Sequence, residues 1–320
     1  MKLIKNKIAG LGAILLALSL GACNDYLDIT PPSSISPELY FMSADQLASY
    51  TINYYKGSDT QGGQWSNAFP HHGIGGSSYE TFLDGDQGTD NESGTNNRFF
   101  DGDSKYQVGS GGGDWSFGYL NNINYYLNEV VPRYEAGQIS GSDVAVRHYI
   151  GEGYFLRANE YYKKLRALGD FPIVTEVLPM DHELLKEASK RQPRNVVARF
   201  ILEDLDRAIE LLSDGATTGG RNRITRDVAH LMKARVALYE ATFEKYFAGT
   251  PFVPDRNAGW PGAKMEYLKD FTYDNAAEVN FFLETALAES KIVADAHPTL
   301  ANNNKKVIGA TSTTFPANPY

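Results

Sequence analysis

The stretch DVAVRHYIGEGYFLRANEYYKKLRALGDFP, residues 143–172, decides how the rest of the chain is read. Ile150, Tyr154, Ala158, Tyr161, Leu165 and Leu168 follow one another at steps of four, four, three, four and three. That is the spacing of one stripe on an α-helix. Arg147, Lys163, Lys164 and Arg166 mostly fall away from the stripe and are expected to stay wet. Gly169 can take the left-handed backbone that closes a helix, and Pro172 cannot continue one. Gly151 and Gly153 each cost a helix about 1 kcal/mol against alanine, so they mark places where a second helix presses close. The spacing predicts a packing helix, not a catalytic one.

The chain has 320 residues, enough for one large or two ordinary domains with a sizeable core. A net charge of −9 argues against nucleic acid, because phosphate binding needs a basic face. With 20 Tyr, 16 Phe and 3 Trp, aromatics exceed what a plain surface needs, and rings in loops serve as platforms for neutral polar ligands. One cysteine permits no internal disulfide.

That cysteine falls at a telling place. Lys2, Lys5 and Lys7 precede an apolar run over 8–20, and Gly21-Ala22-Cys23 follows. A positive start, a short apolar run and small residues at the cut make a secretory signal over 1–22. The run is too short to span a bilayer comfortably. Leu20-Gly21-Ala22-Cys23 resembles a bacterial lipobox, so Cys23 is expected to carry lipid as a membrane anchor. Residues 23–37, polar and broken by Pro31-Pro32, read as a tether, leaving 38–320 as the folded body.

Helix resumes at Ser43-Ala44-Asp45-Gln46, which has the form of a capping box, with Leu47, Tyr50 and Tyr54 as its apolar face. Trp115, Tyr119, Ile123 and Leu127 stand at clean steps of four, which makes Trp115 a core residue. Pro193 suits the first position of a helix whose buried face is Val197, Ile201, Leu205, Ile209 and Leu212, with Glu203, Asp204, Asp206 and Glu210 around it. The next helix has two stripes: Val228, Met232, Val236, Tyr239 and Leu231, Ala234, Leu238, Ala241. A helix apolar on two sides is sandwiched. A last helix over 274–296 places Ala277, Phe281, Leu287 or Ala288, and Ile292 on one side.

Three blocks in this order carry a family resemblance. They are Phe155-Leu156-Arg157-Ala158 with Tyr161-Tyr162 and Leu168-Gly169-Asp170-Phe171-Pro172-Ile173, then residues 201–209 (ILEDLDRAI), then Arg223-Ile224-Thr225 with Lys233-Ala234-Arg235-Val236. Together they resemble the SusD/RagB family of outer-membrane nutrient-binding lipoproteins. The resemblance implies an all-α scaffold of tetratricopeptide-like helix pairs with long irregular loops forming the ligand face. It implies a protein facing the cell exterior that binds oligosaccharide or polysaccharide and delivers it to a TonB-dependent, SusC-like transporter. Neither catalysis nor a cofactor is expected. Family members continue well beyond this pattern, so its C-terminal part is expected to be missing here. A secreted glycoside hydrolase using Asp84 and Asp86, or a peptide-binding relative, is the alternative.

Candidate ligand residues come from the irregular stretches. Residues 57–113 lose periodicity and interleave aromatics with Gly, Ser, Asn and Asp, as functional loops do. Trp65 and Tyr79 sit among amides and hydroxyls, where a ring can stack on a pyranose while its neighbours bind the hydroxyls. Trp260, between Gly259 and Pro261 in a second loop, is the third candidate. No metal is expected: Asp84, Asp86, Asp90 and Glu92 fail the calcium-loop pattern because Gly88 takes a ligand place, and His71-His72 lack partners at helical spacing. Glu203 and Asp206 lie one turn apart on a single helix face, whereas a glycosidase pair flanks the scissile bond from opposite sides.

Overall fold

A computed structural model describes residues 40–56, 115–214 and 223–299. Met1–Met42 and Ser43–Tyr320 are separate units, and the described architecture belongs almost wholly to the second. It comprises helices α1 (Ala44–Ile52), α2 (Gly118–Glu135), α3 (Asp143–Leu168), α4 (His182–Ala188), α5 (Arg194–Leu211), α6 (Arg226–Tyr246) and α7 (Asn275–Ala296). Pairing of extended backbone, among the described residues, is limited to the isolated bridges Ser43–Ser140 and Phe171–Gln192. The fold is all-α.

Helices α1 and α2 pack on α3, α3 on α5, α5 on α6, and α6 on α7. The later pairs are antiparallel. Arg147 and Asp170, at opposite ends of the α3 segment, meet Glu210 and Arg194 at opposite ends of α5. Likewise Asp227 at the start of α6 meets His297 beyond the end of α7, while Asn275 donates to the Glu244 carbonyl. Successive antiparallel helices, each burying one face on the previous and one on the next, are the arrangement of helical hairpin repeats.

The capping box at the head of α1 forms as the sequence predicts. The Ser43 hydroxyl accepts from the Gln46 N–H, and the Gln46 side chain accepts from the Ser43 N–H. Gly169 closes α3 with φ of 72°. The two glycines inside α3 are needed for close approach. A Cβ on Gly153 would lie 2.7 Å from the Tyr126 ring on α2, and one on Gly151 would lie 3.0 Å from Leu212 at the end of α5.

α3 itself departs from the single-stripe reading. Its buried residues include Glu152, Arg157, Glu160 and Lys164, so it is enclosed on nearly every side. Lys164, expected to stay wet, is 4% exposed and reaches Glu160 at 3.2 Å. The stripe argument assumes one covered face, whereas α1, α2 and α5 cover three. Asp204 is likewise buried, not on a solvated face. It takes a two-pronged hydrogen bond from Arg157 at 2.7 and 2.8 Å, and Arg157 also donates to Asn124 at 3.2 Å. Such a pair costs heavily to bury and far more to break. It fixes the register of α3 against α5 and α2.

Other expectations shift by a residue or a face. α5 begins at Arg194 with Pro193 as its cap, and Trp115 stands outside α2, half-buried and stacked on Phe171 at 5.9 Å. On α7 the buried residues are Phe282, Ala286 and Val293, while Leu287 and Ile292 are exposed. On α6, Leu231 and Leu238 are also exposed. Ala234 and Ala241 of the same stripe are buried, so the stripe is covered only in part among the described residues.

Candidate functional site

The connector between α6 and α7 builds a cavity of about 680 Å³. Phe247 caps α6 by stacking on Phe243 at 4.4 Å, and Phe252 meets Phe247 edge-on at 5.6 Å. The chain then leaves helical geometry. Asp255 caps a short 3₁₀ turn, Arg256–Ala258, by accepting from the Asn257 N–H at 2.8 Å. Gly259 turns the chain with φ of 84° and delivers Trp260 into the interior. Two further 3₁₀ turns, Pro261–Lys264 and Glu266–Leu268, bring it back to α7.

Trp260, expected on the ligand face, is instead among the largest fully buried side chains, 2% exposed. Its indole N–H donates to Asp170 at 2.7 Å, and the other Asp170 oxygen accepts the backbone N–H of Arg194 at 2.9 Å. Burial raises the Asp170 pKa, and those two donors hold it back. The tryptophan wedges the connector against the α3–α5 junction. Gly262 packs so tightly on the indole that an added Cβ would lie 2.1 Å from it. The Phe271 ring leans on Trp260 with centroids 5.8 Å apart, so the tryptophan supports a cavity wall without forming it.

The cavity is lined by Val253, Pro254, Asp255, Arg256, Asn257, Lys269, Asp270, Phe271, Thr272, Tyr273 and Asn275, with Gly249 at its edge. Arg256 is committed to the loop's own backbone, donating to the carbonyls of Leu268, Ala263 and Phe271. Asn275 bridges the Glu244 carbonyl at 3.0 Å and the Tyr273 hydroxyl at 2.7 Å. Burial is the main cause that lifts the Tyr273 pKa above the ordinary phenol range, and the phenol therefore stays neutral.

Behind this wall lies a buried charge cluster. Arg194 grips Glu240 with two bonds of 2.7 Å, its guanidinium 3.4 Å from the Phe243 ring centroid. Glu244 is fully buried, and neither of its carboxylate oxygens has a hydrogen-bond partner among the described residues. Burial first, then the neighbouring Glu240 and Glu278, push its pKa up to about 9. Glu244 therefore carries a proton at neutral pH.

A second cavity, about 220 Å³, is lined by Val144, Arg147, residues 210–214 and Arg226. Near it Ser213 Oγ lies 3.0 Å from His148 Nδ1, and His148 Nε2 lies 3.2 Å from Glu152. The line has the order of a hydrolytic triad, but Glu152 is also held by Thr51 and Tyr55 at 2.6 Å and by Arg223 at 3.0 Å. It ties α1, the α5–α6 loop and α3 together, and we read it as a strut.

Cys23, Trp65, Tyr79, Asp84 and Asp86 lie outside the described residues. The described residues contain no group of three or more His, Cys, Asp or Glu able to hold a metal. Phe271 and Tyr273 escaped the sequence reading. Their signal was present in Asp270-Phe271-Thr272-Tyr273-Asp274, two rings at spacing two among polar residues, directly before a capped helix.

The arrangement belongs to a class: a stacked-hairpin scaffold that holds a polar, ring-walled pocket in an inter-helix connector. No family model matches the sequence. The chain is 27% identical over 245 residues to SusD-like protein P2 of Formosa agariphila, covering 77% of this chain and 46% of that protein. It thus spans about half the length of the curated relative it matches. Among solved structures it is similar to a SusD-like protein of Bacteroides fragilis, with 26% identity, TM-score 0.33, and 40% of this chain and 23% of that one covered. A SusD-like carbohydrate binding protein of the same species shows 19% identity, TM-score 0.43, and coverage of 65% and 40%. The sequence relative bears out the resemblance to SusD-like proteins. No helix among the described residues is long and apolar enough to cross a membrane.

Proposed function

We propose that this is a lipid-anchored glycan-binding protein of the bacterial outer membrane that hands its ligand to a TonB-dependent, SusC-like transporter. In this reading 1–22 is removed as a signal, Cys23 is acylated, 23–37 is the tether, and 38–320 is the binding body. One observation carries the reading: a cavity walled by Phe271 and Tyr273, with hydrogen-bonding side chains between the rings, in a chain similar to SusD-like proteins. A sugar buries the apolar face of its ring on an aromatic while carboxylate and amide groups take its hydroxyls. The role needs binding, not bond cleavage, and no cofactor. Trp65 and Tyr79 remain proposed contacts of the same face.

The test is affinity electrophoresis and calorimetry of the lipid-free full-length protein against a polysaccharide panel, with reducing-end assays alongside. Retention without new reducing ends supports the reading. Release of sugar would favour a hydrolase, and retention of peptides alone would favour a peptide-binding relative. Co-purification of a β-barrel transporter with the lipidated protein tests the partner. Metabolic labelling with a palmitate analogue, lost in Cys23→Ala, tests the anchor.

A further inference from the structure

We infer that the connector cavity selects uncharged glycans and turns away uronic, sulfated or sialylated ones; this deepens the glycan-binding reading and rests on it. The charged groups on the wall differ in what they already hold. The lining holds two cations, Arg256 and Lys269. Arg256 aims its donors at three backbone carbonyls of its own loop, so moving it to a ligand anion would unpick the connector. Lys269 Nζ already sits 3.0 Å from Glu266. That pair is exposed and weak, but an anion arriving at Lys269 still meets the Glu266 carboxylate beside it.

The acceptors are in the opposite condition. Among the described residues the Asp270 carboxylate takes no hydrogen bond, and Asp255 commits one oxygen, Oδ1, to the Asn257 N–H. The Asn257 amide and the Thr272 hydroxyl also line the cavity. An ionised carboxylate accepts hydrogen bonds and donates none. Each of these acids therefore suits a pair of sugar hydroxyls and has nothing to offer a ligand carboxylate or sulfate. Like charges repel, most strongly at low salt because these groups are wholly or partly solvent-exposed, and that repulsion sets specificity by exclusion. Phe271 and Tyr273 complete the fit, since stacking is indifferent to which uncharged sugar is offered. The net charge of −9 works in the same direction at long range.

The experiment is a matched panel on the lipid-free full-length protein at low and physiological salt. Laminarin, pullulan, dextran and galactomannan serve as uncharged probes, and alginate, polygalacturonate and dextran sulfate as anionic ones. The expected result is retention by at least one uncharged probe, with every anionic probe about tenfold weaker or more. Phe271→Ala should abolish the retention. Asp270→Lys should admit an anionic probe, and because Asp270 is exposed the variant should keep the wild-type melting temperature.

Tighter binding of an anionic probe by the wild type, lost in Phe271→Ala, would overturn the inference while leaving the glycan-binding reading intact. Binding of uncharged probes that ignores both substitutions would also overturn it, because the ligand would then sit elsewhere. Failure of every probe on a folded protein would sink the glycan-binding reading and this inference with it.

Discussion

Replacing Glu244 with glutamine should make the protein more stable, and the gain should grow with pH. In the folded chain Glu244 is fully buried and its pKa is pushed up to about 9, with Glu240 and Glu278 adding to the effect of burial. In the unfolded chain it returns to the ordinary glutamate range, about 4.3. Between those two values the native state holds a proton that the unfolded state has released. Stability from this group is thus fully present below about pH 4 and drains away as pH climbs towards 9. The slope is about 1.4 kcal/mol per pH unit. By pH 7 the accumulated loss is on the order of 4 kcal/mol, a ceiling because the Arg194–Glu240 pair beside it shares the charge. Glutamine keeps the shape of the protonated acid and has no proton to lose. Urea unfolding followed by circular dichroism at pH 5, 6, 7 and 8 reads the difference directly, since every other titrating group cancels between the two proteins. The variant should be close to wild type at pH 5 and ahead by about 2–3 kcal/mol at pH 7. A difference that stays flat across this range, or a variant weaker than wild type at pH 8, would refute the idea that Glu244 is protonated in the fold.

Asp204→Ala leaves the Arg157 guanidinium buried without its counter-ion and should cost about 3–5 kcal/mol in the same unfolding assay. Gly153→Ala gains about 1 kcal/mol of helix propensity but drives a methyl into Tyr126, so a net loss of about 1–3 kcal/mol is expected; a gain would mean that α2 can back away. Trp260→Ala should lose about 3–5 kcal/mol and glycan retention together, because the indole supports the Phe271 wall. If retention persisted while stability fell, the wall would not depend on the wedge. Ser43→Ala removes one half of the capping box and should cost about 1 kcal/mol.

Helix existence was written plainly in the sequence, because the signals that carry it are local. The Ser43–Gln46 box, the steps of four from Tyr119, and the glycines at 151 and 153 each act within a turn or two, and each reappears in the structure. What periodicity could not convey was how many neighbours a helix has. Lys164 falls off the apolar stripe of its helix and Asp204 off the apolar face of its own, yet both are buried. Their burial is decided by partners dozens of residues away, as with Arg157 on Asp204. The pocket suffered in the same way. Trp260 and Phe271 lie in the same connector, eleven residues apart, and both are aromatic in polar company. Composition cannot say which ring turns inward; that is decided by a hydrogen bond from the indole to Asp170, 90 residues earlier. A tryptophan has an N–H that needs a buried acceptor, and phenylalanine does not. That contrast is the physical clue the sequence offered, and it favours Trp260 as the wedge and Phe271 as the wall.

The connector's self-bracing has a kinetic and thermodynamic consequence. With Arg256 stapling three of its own carbonyls and Trp260 bolted to a distant helix junction, the cleft has its shape before any guest arrives. In the proposed role, a saccharide would spend little of its contact energy on ordering the host. Capture becomes a matter of collision with a rigid receptacle, and differences among ligands should show in how long each one stays.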